Sequence, residues 1–123
     1  MSEWASPYFQ RSEFACSCGC GFDTVDYELL KCLEYIREHF DRPVRITSGC
    51  RCLKHNAAVG GAMPDADGTG GSQHLVGRAA DIRVDGIDPQ FVYELADNME
   101  VGGLGEYSSW THIDTRTDAR ARW

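Results

Sequence analysis

The sequence lacks the features that insert a chain into a membrane or export it. No apolar run approaches the ~18 residues that a membrane-spanning helix needs. Residues 1–10 have neither the basic start nor the apolar centre of a signal peptide. Internal repeats and low-complexity segments are also missing. We therefore expect a protein that is made in the cytoplasm and does not insert into a membrane.

Positive charge is also scarce. Lysine and arginine together number 12 against 19 aspartate and glutamate residues, so the formal net charge is −7. Binding to nucleic acid needs a basic face that neutralises phosphates, and anionic membrane surfaces likewise attract basic segments. The composition therefore predicts that neither is a partner. The 123 residues fit one monomeric globular domain, residues 1–123, with an irregular lead-in over residues 1–11.

Hydrophobic periodicity predicts a mixture of helices and strands. Apolar residues recur at helical spacing over residues 24–40, and Pro43 follows the end of this pattern. Asp88 and Pro89 open a second helix that runs to about Met99. Strands are predicted at residues 43–48, 79–84, 101–107 and 110–114, with a glycine-rich loop at 60–71. Because no βαβ rhythm is present, we predict an α+β fold with a small antiparallel sheet flanked by helices.

The six cysteines are unevenly spread along the chain. They fall as Cys16, Cys18 and Cys20, then Cys32, then Cys50 and Cys52. Spacing of i, i+2 is more typical of short ligand-bearing loops than of an even disulfide framework. A structural metal or disulfides could tie the 16–20 loop to Cys50 or Cys52, and simple reduced thiols fit the spacing equally well. The sequence leaves these alternatives open.

Two segments place histidines beside carboxylates. His74 and Asp81 have a spacing that suits one ligand at the mouth of a loop and another on the strand that follows. His112 and Asp114 share one face of a predicted strand. Two imidazoles and a carboxylate would leave a fourth position open, as in catalytic zinc sites. His74, Asp81 and His112 are therefore a candidate metal site, although Asp81 could instead cap a turn and Asp114 could pair with Arg116.

The arrangement of these residues resembles the M15 peptidases, which are zinc D-Ala-D-Ala carboxypeptidases with the hedgehog/DD-peptidase fold. The resemblance rests on Ser-x-His-x-x-Gly-x-Ala-x-Asp at 72–81, followed by His-x-Asp at 112–114. It extends to the cysteine-rich segment 14–21, to Ser-Gly-Cys-Arg-Cys at 48–52 and to Gly-x-Gly at 103–105. It implies the hedgehog/DD-peptidase fold and a bare catalytic domain from about residue 12 onward.

The resemblance also implies a role for each matching residue. His74, Asp81 and His112 would bind one catalytic Zn²⁺ ion. Arg51 would hold the substrate carbonyl or the oxyanion, a role that suits arginine because its planar fork is always charged. Ser72 would help to bind the substrate near the metal, or would only cap its loop.

One position departs from the family pattern. Many M15 peptidases carry a glutamate or aspartate three residues before the last histidine as the general base, whereas this chain has Ser109. Asp114 is the favoured replacement because it shares a strand face with His112, and Glu106 is the second candidate if the following turn brings it to the metal. Asp114 could instead orient His112 or Arg116 without moving a proton.

The predicted function is that of a zinc metallopeptidase that hydrolyses an amide bond in peptidoglycan stem peptides. D-Ala-D-Ala carboxypeptidase activity is the first expectation, and related enzymes cut the L-Ala–D-Glu bond as endolysins. The hedgehog signalling domain shows that the same fold can also form a zinc-binding module without peptidase activity. Because no signal peptide is visible, we expect action on the cell wall after release, as by a phage lysis or tail-associated enzyme.

Overall fold

The computed structural model describes residues 6–66, 70–117 and 119–123. Within these ranges the chain forms three α-helices, two short 3-10 turns and five strands. In chain order they are a 3-10 turn Arg11–Phe14, α1 Tyr27–Phe40, β1 Val44–Ser48, α2 Leu53–Ala58, a 3-10 turn Gln73–Val76, β2 Ala79–Val84, α3 Pro89–Asn98, β3 Gly103–Glu106, β4 Thr111–Asp114 and β5 Ala121–Arg122. None of the described helices is long and apolar enough to cross a membrane.

The five strands form one sheet in the order β1-β2-β4-β3-β5. Neighbouring strands from β1 to β3 are antiparallel, but β5 pairs with β3 in the parallel direction. The α+β class is therefore confirmed, whereas the prediction of a purely antiparallel sheet is wrong at this edge. Because β5 has only two residues, it is too short to show any periodicity in the sequence.

The two longer helices pack on one face of the sheet. Helix α1 begins at Tyr27, later than predicted, because the extended residue Asp26 is its N-cap. Helix α3 begins at Pro89 as expected, since proline needs no hydrogen-bond acceptor in the first helical turn. The apolar side chains of this layer form the core with the inward residues of the strands: Leu29, Leu33, Ile36, Val92, Ala96, Ala80, Ile82, Leu104 and Ile113.

On the central strands β2 and β4, the side chains of Asp81 and His112 lie on the face of the sheet opposite to the two longer helices. Asp81 on β2 is the direct partner of His112 on β4, so the two side chains leave the sheet on the same side. The register of β1 against β2 shifts by one residue after Ile46, which brings Ser48 rather than Thr47 opposite Asp81. Helix α2 and the turn Gln73–Val76 lie near this polar face, and both are too short to have been predicted.

The other predicted segments agree with the structure to within a few residues. Strand β2 spans the predicted residues 79–84. Strand β3 is shorter than the predicted 101–107 at both ends, and β4 begins one residue later than the predicted 110–114. The predicted glycine-rich loop 60–71 has no regular structure where it is described, and its residues 67–69 lie outside the described ranges.

Candidate metal centre

His74, Asp81 and His112 converge on the polar face of the sheet. One ligand atom from each lies within 4.8 Å of the others. Oδ1 of Asp81 is 2.9 Å from Nδ1 of His112 and 3.4 Å from Nε2 of His74. Two imidazole nitrogens and one carboxylate oxygen are the donor set of open, catalytic zinc sites. The three residues therefore fit a zinc ion that keeps one position free for substrate or water.

His74 is held in a fixed orientation by its surroundings. Its ring is buried, and Nδ1 lies 2.6 Å from the carbonyl oxygen of Gly49. That contact requires Nδ1 to carry the proton and to donate it, which leaves the lone pair of Nε2 facing Asp81. The hydroxyl of Ser72 accepts a hydrogen bond from the backbone N–H of His74 at 3.2 Å and so caps the turn. Ser72 also lines the cavity described below.

His112 lies between two carboxylates. Its Nδ1 faces Asp81, and its Nε2 lies 2.8 Å from Oδ2 of Asp114. Asp114 is fully buried and accepts two hydrogen bonds from the guanidinium of Arg116, at 2.8 Å and 2.7 Å. The carboxylate of Asp114 thus contacts the ring nitrogen remote from the other ligands. This is the position from which a carboxylate fixes the tautomer of a metal-binding histidine.

The charges of the three titratable groups follow from their partners. Burial alone would raise the pKa of Asp81, but its contacts with His112 and His74 hold it well below its usual range. The pKa of Asp114 is also low, because Arg116 and His112 outweigh the effect of burial. Burial lowers the pKa of His112, but Asp114 and Asp81 together raise it above its ordinary value. Both carboxylates are therefore anionic near neutral pH, which suits Asp81 as a ligand and makes Asp114 a weak proton acceptor.

Glu106 lies away from the metal centre. In the register of β3 with β4, Gly105 pairs with His112 and Glu106 pairs with Thr111. Glu106 therefore leaves the sheet on the face opposite to His112. It lines a separate depression beside Pro89 and Gln90. The turn after β3 does not bring this carboxylate to the ligands, so the second predicted candidate for the general base is not at the site.

Arg51 reaches the metal centre from the loop after β1. Its Nη2 lies 3.5 Å from Oδ2 of Asp81. Its Nε donates to the hydroxyl of Ser48 at 3.3 Å, and its Nη1 donates to Oδ1 of Asn56 at 3.3 Å. Asn56 is fully buried and its amide also donates to the carbonyl oxygen of Ala62 at 3.0 Å. These contacts direct the guanidinium toward the candidate ligands.

A cavity of about 520 Å³ opens over the three ligands. Arg51 and Ser72 lie on its lining, and three aromatic side chains, Tyr107, Trp110 and Trp123, complete the wall. Among the described residues that line it, Asp81 is the only carboxylate. The cavity thus combines a metal-binding set with a fixed cation and an aromatic wall.

Comparison with known families identifies this arrangement. The family model described as Peptidase M15 matches residues 7–114, most of the chain. The chain belongs to the peptidase M15 family. M15 members are zinc peptidases, so this M15 protein is a hydrolase by family, and its three converging residues could bind the metal. No curated protein and no solved structure matched the chain.

The aromatic wall of this M15 protein was not predicted as part of the site. The ring of Trp123 lies 4.9 Å from the ring of His112, measured between centroids, and its Nε1 donates to the hydroxyl of Tyr107 at 2.9 Å. The sequence feature that accompanies this contact is the glycine at position 105. A Cβ atom there would lie 2.5 Å from Nε1 of Trp123. The glycine thus leaves the space in which the indole packs beside a metal ligand.

The substitution Asp114→Asn separates the two roles considered for Asp114 in this M15 protein. If Asp114 orients His112, the variant should bind zinc about 10–100-fold more weakly, because the neutral amide holds His112 and Arg116 less firmly. Activity should then return towards the wild-type rate at saturating zinc. Zinc titration followed by assay of the saturated protein measures both quantities.

The matched control is Asp85→Asn, which removes an exposed carboxylate paired with Arg45 on β1. We expect it to leave zinc affinity unchanged. An Asp114→Asn protein that is fully loaded with zinc yet inactive would contradict the orienting role and restore Asp114 as the general base.

Proposed function

We propose that this protein is a zinc peptidase that hydrolyses an amide bond in peptidoglycan stem peptides, with terminal D-Ala-D-Ala as its first substrate. The observation that carries the proposal is the open set of His74, Asp81 and His112, with Arg51 beside it in one cavity. Membership of the M15 family supports the reaction class. The motif at 72–81 and 112–114 supports the substrate class and a hedgehog/DD-peptidase-like fold through its resemblance to carboxypeptidases.

Different residues have different roles in the proposed hydrolysis. A bound zinc ion supplies a Lewis acid and lowers the pKa of water towards ~7. Arg51 binds the scissile carbonyl oxygen and stabilises the negative charge that develops on it, because Ser48 and Asn56 hold its guanidinium in place beforehand. Asp114 and Arg116 keep the proton of His112 on Nε2, so that Nδ1 stays a ligand.

A second candidate function is a zinc-binding module without peptidase activity. Two observations favour it. Ser109 stands where many family members have a carboxylate, and the described cavity lining contains no carboxylate other than the ligand Asp81. In this case the cavity would bind a peptide without cleaving it, since no second carboxylate accepts the proton of the attacking water.

The deciding experiment is mass spectrometry of purified muropeptides incubated with the zinc-loaded protein. Loss of a single terminal alanine from pentapeptide stems would support the carboxypeptidase. A cut between L-Ala and D-Glu would replace it by an endolysin-type endopeptidase, and would fit the proposal of a phage-borne enzyme that acts on the wall after release. No cleavage by a protein that retains its zinc would overturn the peptidase and favour the binding module.

A further inference from the structure

A second cluster of metal-binding side chains lies apart from the metal centre. The Sγ atoms of Cys16, Cys18, Cys20 and Cys52, here called the four-cysteine cluster, all lie within 4.8 Å of one another. Cys16 is 3.5 Å from Cys18, Cys18 is 3.6 Å from Cys52, and Cys16 is 3.8 Å from Cys52. No disulfide joins the described cysteines. The sulfur atoms of Cys16, Cys18 and Cys52 are therefore nearly equidistant, and that of Cys20 lies within 4.8 Å of each of them.

The separations among Cys16, Cys18 and Cys52 match those between thiolates that share one zinc ion. A tetrahedral site with Zn–S bonds of about 2.3 Å places its sulfur atoms about 3.8 Å apart. A disulfide would instead bring two of them to about 2.05 Å. Simple packing of thiols has no reason to bring four sulfur atoms from two distant segments to a common point, especially since Cys18 and Cys20 are exposed.

The two remaining cysteines, Cys32 and Cys50, lie outside the cluster and make other contacts. Cys50 is buried and its thiol donates to the carbonyl oxygens of Phe14 and Phe22, at 3.1 Å and 3.0 Å. Cys32 lies on α1 and packs against the apolar core. Neither belongs to the cluster, so of the two partners that the sequence allowed for the 16–20 loop, the structure selects Cys52 and not Cys50.

The backbone around the cluster provides donors for sulfur. The N–H of Cys52 points to the sulfur of Cys16 at 3.5 Å, and the N–H of His55 points to the sulfur of Cys52 at 3.4 Å. Hydrogen bonds of this kind orient ligands and stabilise thiolates in metal sites. We propose that the four-cysteine cluster binds a structural zinc ion in a closed, four-thiolate site.

The position of the cluster indicates what this ion does. It joins the segment that follows the first 3-10 turn to the residue next to Arg51. The same two segments also meet at a second point, because the N–H of Cys50 donates to the carbonyl oxygen of Phe14 at 2.9 Å. A Cβ atom on Gly49 would collide with the backbone of Phe14. Since the carbonyl of Gly49 orients His74, the structural ion fixes the loop from which Gly49 and Arg51 reach the metal centre.

Zinc content per chain tests the proposal without any activity assay. Protein purified under reducing conditions should hold about two zinc ions per chain as wild type, and about one in His74→Ala. The double variant Cys18→Ser/Cys20→Ser should also hold about one, because two ligands of the closed site are lost. Cys32→Ser is the matched control and should keep the wild-type content, because this thiol lies outside the cluster.

Cobalt substitution of the His74→Ala protein provides a second measurement with all cysteines intact. We expect the intense sulfur-to-cobalt charge-transfer absorption of a four-thiolate site. Its absence would overturn the proposal even if the double serine variant does not fold. Detection of disulfides in place of the four free thiols, by alkylation and mass spectrometry, would overturn it as well. The cluster shares no residue with the metal centre, so the result does not depend on the proposed peptidase function.

Discussion

Replacing His74 by alanine is expected to abolish peptide hydrolysis while leaving the protein folded. The variant loses one of three converging ligands, so zinc leaves the metal centre. Polarisation of a carbonyl by zinc contributes several kcal/mol to transition-state stabilisation, which corresponds to about 10³-fold or more in rate. Product formation from muropeptides, followed by mass spectrometry, measures the loss.

The fold should survive because the backbone of His74 makes the contacts that hold its turn. Its N–H donates to Ser72 and its carbonyl accepts from the N–H of Arg51, and alanine preserves both. The side chain leaves behind one unpartnered acceptor, the carbonyl oxygen of Gly49. A buried group left in this way costs about 1–3 kcal/mol of stability, which thermal unfolding can detect.

His39→Ala is the matched control for this prediction. His39 is exposed near the end of α1, where it packs against Tyr35 and Phe40, away from the metal-centre cavity. Its removal should change neither the rate nor the metal content. If His74→Ala cleaved muropeptides at the wild-type rate, the ligand set would be wrong and the proposed function would lose its main support.

The sequence was most informative where local pattern and chemistry coincide. Strand alternation alone indicated that His112 and Asp114 share a face, and the register of β2 with β4 places Asp81 directly beside His112. The spacing of His74 and Asp81 across a glycine also predicts the loop position of His74. The structure places His74 in a turn that Gly77 ends with a positive φ of 70°, which favours glycine. Residue type, spacing and family resemblance therefore predict this set of candidate ligands without any tertiary contact.

The parts that the sequence did not predict depend on tertiary contacts. A strand pattern places Asp114 on the same face as His112 but does not say which nitrogen of His112 it contacts. That contact bears on whether Asp114 orients the ring or accepts a proton. Trp123 reaches His112 because β5 adds to the sheet edge through two residues. Asn56 lies on a helix of six residues, too short for periodicity to reveal.

Arg51→Lys is expected to reduce kcat by about 10²–10³-fold, the usual effect of removing one donor that stabilises an oxyanion. Lysine keeps the positive charge but lacks the planar fork. It therefore cannot contact Ser48, Asn56 and the region of Asp81 at the same time, as the guanidinium does. The charge alone still attracts the substrate, so KM should change less than kcat.

The control for this substitution is Arg45→Lys. Arg45 lies on the same strand as Ser48, but its exposed guanidinium pairs with Asp85 at 2.8 Å, away from the ligands. Both variants should be assayed at saturating zinc, so that a weaker metal site in Arg51→Lys is not mistaken for a slower reaction. A normal kcat in zinc-saturated Arg51→Lys would contradict the oxyanion role. The expected loss of kcat in a variant with normal zinc content would place the reacting carbonyl beside Arg51. A role in folding alone would instead lower stability and leave the kcat of the folded fraction unchanged.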